Sequence, residues 1–137
     1  MIFTVEDVRR LRSTGRGPIT IGELPTSVAR AMRLYVPVVY LSKASLDHIN
    51  LRHPDITDYD LISAPFVLKH GLFLRETRRP NLYLCSYVGP HVEHKRYGAA
   101  LKVSEPDREV YMTSFHRVSD RQTKAWLKRC EIIKRHD

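Results

Sequence analysis

Long apolar runs are missing from this sequence. No stretch of its 137 residues is long and apolar enough to cross a bilayer as a helix. The opening MIFTVEDVRRLR carries charge too early to form the apolar region of a secretion signal, so a soluble cytoplasmic protein is expected, with no membrane partner. Cysteine is scarce. Cys85 and Cys130 lie far apart, which argues against a disulfide framework and suits two reduced, core-type residues. Internal repeats and low-complexity tracts are absent, so a repeat architecture is not expected. STGRGP has two glycines but lacks the Gly-Lys-Ser/Thr ending of a phosphate loop and reads as a turn. Acidic residues are in deficit: 15 against 23 Lys plus Arg, a net charge of +8 and a pI near 9.8. That balance points to a nucleic-acid partner. A surface charged for solubility, or an acidic protein partner, gives the same signal.

What is present fits one folded domain. An apolar share of 42% is enough to build a core in a chain of this length. Thr4, with Asp7 three residues on, caps a short helix with Val5, Val8 and Leu11 on one side. Pro25 and Thr26 open a second. YVPVVYLS is strand-like, and Pro37 within it marks an edge position or a late start. SKASLDHINLRH reads as a helix capped by Ser42 or Ser45 and ended by Pro54. Thr57 and Asp60 open another, which Pro65 kinks or splits and Gly71 closes. Strands follow: LFLRE, LYLCSYV, RYGAALKVS and EVYMTSFHRV, joined by the turns TRRPN, GPHVEHK and EPDR. The end reads as a basic helix opened by Ser119 and Gln122, with Trp126, Cys130 and Ile133 along one side. The expectation is an α+β domain: N-terminal helices packed on one face of a four- to five-stranded antiparallel sheet, with a C-terminal helix. Residues 1–35 would be a helical extension, 36–118 the helix-plus-sheet core and 119–137 the terminal helix.

Three constellations carry chemistry. SLDHINLRHPD places His48, Arg52 and His53 within one helix. At 100° per residue Leu46, Ile49 and His53 share one side, and Ser45, His48 and Arg52 another. On spacing alone this is a capped amphipathic helix with two incidental histidines. His91 and His94, with Glu93 and Cys85, match no zinc spacing, and Asp55, Asp58 and Asp60 read as helix-start acids, so no metal is expected. In RYGAALKVS, Tyr97, Ala99, Leu101 and Val103 form one row, with Arg96, Ala100 and Lys102 opposite. In EVYMTSFHRV, Val110, Met112, Ser114, His116 and Val118 alternate with Tyr111, Thr113, Phe115 and Arg117. Both rows mix polar and apolar groups, so alternation leaves open which faces the core. A sheet surface carrying Arg96, Lys102, Ser114 or His116, overlooked by His48, Arg52 or His53, has what RNA cleavage needs. Imidazoles exchange protons near neutral pH, cations hold phosphate oxygens, and a hydroxyl donates to a nonbridging oxygen. No cofactor enters such a reaction.

The order VYLSKASLDHINLRHPD, a helix, YGAALKVS and EVYMTSFHRVS resembles the BECR nucleases (barnase, EndoU, colicin and RelE-like), nearest to the branch found in phage and polymorphic-toxin proteins. The resemblance covers about residues 38–118. It implies a helical N-terminal half, a small antiparallel sheet and metal-independent cleavage of RNA to a 2′,3′-cyclic phosphate. Carried over by position, the helix histidine is His53, with His48 as the alternative. The basic strand residues are Arg96 and Lys102, and the last-strand hydroxyl is Ser114 or Thr113. His53, His48, Lys102 and Ser114 are thus the candidate catalytic residues, and Arg52, Arg96, Thr113 and His116 the candidate substrate-binding ones. The implied partners are RNA and an acidic inhibitor such as an antitoxin. A nucleic-acid-binding module without catalysis, or a basic protein-interaction domain, is the alternative.

Overall fold

A computed structural model describes residues 2–87 and 95–136. Local hydrogen bonds set the helix starts. Helix α1 (Val5–Thr14) begins where the Thr4 hydroxyl accepts from the Asp7 N–H and the Asp7 carboxylate accepts from the Thr4 N–H. Helix α2 (Thr26–Ala31) follows Pro25, and α3 (Lys43–Arg52) is capped by Ser42. The Thr57–Asp60 pair opens α4 (Asp58–Leu61). Pro65 then sits in the first turn of α5 (Ala64–His70), where a missing N–H costs nothing, so the segment splits in two. Ser119 and Gln122 open α6 (Asp120–Arg129).

The strands are β1 (Ile19–Glu23), β2 (Val38–Leu41), β3 (Leu72–Glu76), β4 (Leu82–Tyr87), β5 (Tyr97–Ser104), β6 (Glu109–Arg117) and β7 (Cys130–Lys134). They form one sheet in the order β1-β2-β6-β5-β4-β3-β7. Neighbours are antiparallel except β2 and β6, which run parallel with Tyr40 beside Tyr111.

The sheet therefore corrects the expected architecture. Among the described residues it has seven strands and is mixed, not four or five and antiparallel. One added strand, β1, lies within the segment expected to be a helical extension. The other, β7, replaces the last turns of the expected terminal helix, which stops at Arg129; residues 130–134 pair with β3 instead. Strand β2 starts at Val38, immediately after Pro37, and β1 covers its outer side.

Helices also lie on both faces of the sheet. On the first face, Val8 and Leu11 of α1, Leu46 and Ile49 of α3, and Val67 and Leu68 of α5 close over Phe73, Cys85, Tyr97, Ala99, Leu101 and Phe115. On the second, Trp126 of α6 packs with Leu72, Leu74, Leu84 and Val118. Gly98 makes that approach feasible: a Cβ there would come within 2.9 Å of the Trp126 ring and 2.6 Å of Val118.

Strand β6 resolves the ambiguity in its own sequence with a bulge. Its pairing with β5 slips between Ala100↔Ser114 and Leu101↔Met112, leaving Thr113 as the extra residue. The slip inverts the alternation. Val110 and Met112 are buried on the first face before it, and Phe115 after it, so Tyr111, Ser114 and His116 turn to the second face.

Buried and partly buried polar groups tie the N-terminal half together and to the sheet. Arg12 of α1 makes two hydrogen bonds to Asp58, at 2.6 and 3.1 Å. Asp60 accepts from Tyr97 of β5, from Thr57 and from Lys95. Burial alone would raise the Asp60 pKa. The hydrogen bonds from Tyr97, Thr57 and Lys95 outweigh it and hold the carboxyl at about 2.

Candidate active site

Strand β2 ends at Leu41, well short of the length of β6, and α3 begins two residues later and lies against β6. The helix ends at His53 because Pro54 disfavours a helical backbone before it; His53 takes φ −130° and its N–H bonds the Ile49 carbonyl at 2.8 Å. Leu46 and Ile49 anchor the helix in the core, and the His53 imidazole reaches β6 beyond the bulge.

There three side chains meet. His53 Nε2 lies 3.5 Å from Ser114 Oγ, and His116 Nδ1 lies 3.4 Å from the same oxygen. The two imidazoles stack, with centroids 4.8 Å apart and planes 19° from parallel. Behind them the Trp126 ring meets His116 edge-on, with centroids 6.2 Å apart. All three polar residues are partly exposed, so a ligand can reach them. At these long separations the Ser114 hydroxyl is loosely held between two nitrogens and is open to a stronger partner.

The surroundings of His116 disfavour its charged form. Burial pushes the His116 pKa down, its neighbour His53 adds to the depression, and Asp55 opposes both. Two imidazoles and a hydroxyl gathered at one point are groups that general acid–base chemistry can use.

The other candidates are distributed around this cluster. Lys102 is exposed on the second face, two residues along β5 from Ala100, the cross-strand partner of Ser114. The Thr113 hydroxyl donates to the Ala100 carbonyl at 3.3 Å and so serves the bulge. Arg96 is paired with Asp120 of α6 at 2.8 Å. His48 and Arg52 occupy the exposed side of α3 and take no part in the contacts among His53, Ser114 and His116. Among the described residues no group of three His, Cys, Asp or Glu is arranged to hold a metal ion; His91, Glu93 and His94 lie outside those residues.

Sequence reasoning did not identify the backing of His116 by Trp126, or the second-face position of Tyr40 and Tyr111. Trp126 gave a core-like signal on an amphipathic helix. The tyrosines sit in strands whose facing depended on the bulge and on the parallel pairing. No helix among the described residues is long and apolar enough to cross a membrane. Comparison with known proteins gives no matching family, no similar curated protein and no similar solved structure.

Proposed function

We propose that this protein is a metal-independent endoribonuclease that cleaves RNA by attack of the ribose 2′-hydroxyl on the adjacent phosphate. The observation that carries this reading is the stacked His53–His116 pair with both ring nitrogens directed at Ser114 Oγ. His116, whose neutral form is favoured by burial, takes the proton of the 2′-hydroxyl. The 2′-oxygen attacks phosphorus, and the 5′-oxygen leaves with a proton from His53. Ser114 donates to a nonbridging oxygen, and Lys102 supplies positive charge on the same face. The products are a 2′,3′-cyclic phosphate and a 5′-hydroxyl. The resemblance to the BECR nucleases supports the reading through the order of its residues along the chain, and the +8 charge is consistent with a polyanionic substrate.

The test is incubation of the purified protein with RNA in excess EDTA. Cleavage is expected to yield cyclic-phosphate ends and to stop at any position where a 2′-deoxynucleotide replaces the ribonucleotide. His53→Ala or His116→Ala is expected to lower the rate by about 10²–10⁴-fold, the range for a general acid or base. The acid limb of the pH–rate profile should fall on the acid side of an ordinary histidine, because His116 is depressed. Intact RNA after prolonged incubation at stoichiometric protein would overturn the reading. Salt-sensitive binding without products would identify a nucleic-acid-binding module instead.

A further inference from the structure

The second face of the sheet is covered unequally. Helix α6 seats Trp126 over Gly98, Leu74 and Leu84, on the β3–β5 side. Toward β6 and β2 the same face carries partly or fully exposed side chains. Lys102, Tyr111 and Tyr40 form one cross-strand row, through the Lys102↔Tyr111 and Tyr40↔Tyr111 pairings. The Tyr40 and Tyr111 rings lie 5.6 Å apart. Ser114 and His116 follow along β6.

Tyr35, which is 79% exposed, lies N-terminal to β2, five residues before Tyr40. Tyr35 borders two clefts. One it shares with Tyr40 and Glu109; the other, about 580 Å³, is lined by Arg30, Arg33 and Arg108. Arg33 and Arg108 hold positive φ, 59° and 52°, a region side-chain-bearing residues rarely adopt. The Arg108 guanidinium bonds the carbonyls of Met32 and Arg33, fixing the turn that displays Arg33 and Tyr35. Arg108 also neutralises Glu105 at 2.8 Å, which leaves the exposed Arg30 and Arg33 as the cations of that cleft.

We propose that this strip, which no described element covers, is a track for single-stranded RNA, running from the Arg30–Arg33–Tyr35 cleft over Tyr40, Tyr111 and Lys102 to the imidazole pair. The proposal deepens the ribonuclease reading, on which it rests, by naming the substrate class. Exposed rings can stack on bases only if those bases are unpaired, and cations beside them hold the backbone. Duplex RNA hides its base faces and would leave the tyrosines without partners. From Glu109 to His116 the strand rises about 3.3 Å per residue, so the cleft and the imidazoles lie roughly 20 Å apart and a strand of several nucleotides engages both. Asp107 and Glu109 line the adjoining cleft, so phosphates are held on the Arg30–Arg33 side and a base on Tyr35.

The test uses a fluorescent 2′-O-methyl RNA ten-mer, which has no 2′-hydroxyl to attack, and its duplex with a complementary strand. Anisotropy across a salt series is expected to show tighter binding of the single strand. Arg30→Ala combined with Arg33→Asn should weaken it about tenfold and reduce the salt slope by ~1.4, for two lost phosphate contacts; Asn tolerates the positive φ at this position. Tyr35→Ala should weaken binding about tenfold and Tyr35→Phe should restore it, since stacking needs the ring and not the hydroxyl. Tyr35 is so exposed that its replacement leaves the fold intact, which circular dichroism checks. Equal affinity for the duplex, or variants that bind like the parent, would overturn the track even if the parent cuts RNA. Single-strand preference lost in these variants, in a parent that cuts no RNA, would sustain the track and remove the ribonuclease reading.

Discussion

On the first face of the sheet, side chains from α1, α3 and α5 seal the strands. Tyr97, Ala99, Leu101, Val103, Val110, Met112 and Phe115 are all at most 2% exposed there. On the second face α6 covers the β3–β5 side and leaves Lys102, Tyr111, Tyr40, Ser114 and His116 within reach of solvent. Both faces are built from the same strands, alternate residue by alternate residue. The difference shows how one sheet separates two tasks. One face supplies apolar burial, and the other keeps polar groups fixed on rigid backbone with room for a ligand. The boundary between them passes through one residue, Thr113, whose insertion moves Ser114 and His116 out of the row that Val110 and Met112 began.

The sharpest test of this division compares neighbours on β6. Phe115→Ala removes a ring with no exposure from the sealed face and is expected to cost about 3–5 kcal/mol of stability by denaturant titration. His116→Ala, one residue on, should change stability far less while removing cleavage. Comparable stability losses for the two would break the comparison. Next in size is Asp60, which ties α4 to β5 beneath the sealed face. Its carboxyl sits at about 2 in the folded protein against 3.8 when unperturbed. A depressed pKa stabilises the fold when the group is ionised, so this contribution, about 2 kcal/mol, is present above pH 4 and lost as pH falls toward 2. Asp60→Asn should remove most of that acid dependence, read as the slope of the unfolding free energy between pH 4 and 2. An effect similar in size to that of Asp60 is expected from Gly98→Ala on the second face. Its methyl meets Val118 and Trp126, and the displacement should cost about 1–3 kcal/mol in thermal unfolding. It should also loosen the Trp126 contact with His116 and lower cleavage.

Much of this architecture was legible because its signals are local. Thr4 with Asp7, Thr57 with Asp60, and Ser119 with Gln122 each satisfy helix-start N–H groups within three residues, so sequence alone places those starts, whereas for α3 it left Ser42 and Ser45 as alternatives and the structure selects Ser42. Strand β1 was not legible. ITIGE is five residues between a Gly-Pro turn and another proline, and it becomes a strand by pairing with β2. Strand β7 was hidden because the spacing of Trp126, Cys130 and Ile133 also suits a helix; the free edge of β3 decides otherwise. At the site, His53 and Ser114 were named from residue type and order, whereas the stacking of His53 on His116 depends on a bulge that no alternation rule exposes. His48 and Arg52 share the right helix but stand about 140° and 100° around its axis from His53, a difference that periodicity shows and chemistry alone does not.

The hydroxyl of Ser114 and the ring of His53 are separated by 61 positions along the chain. During synthesis the first imidazole emerges long before the partners that would set its proton to work. Any activity of this trio therefore waits until β6 has emerged and settled beside α3.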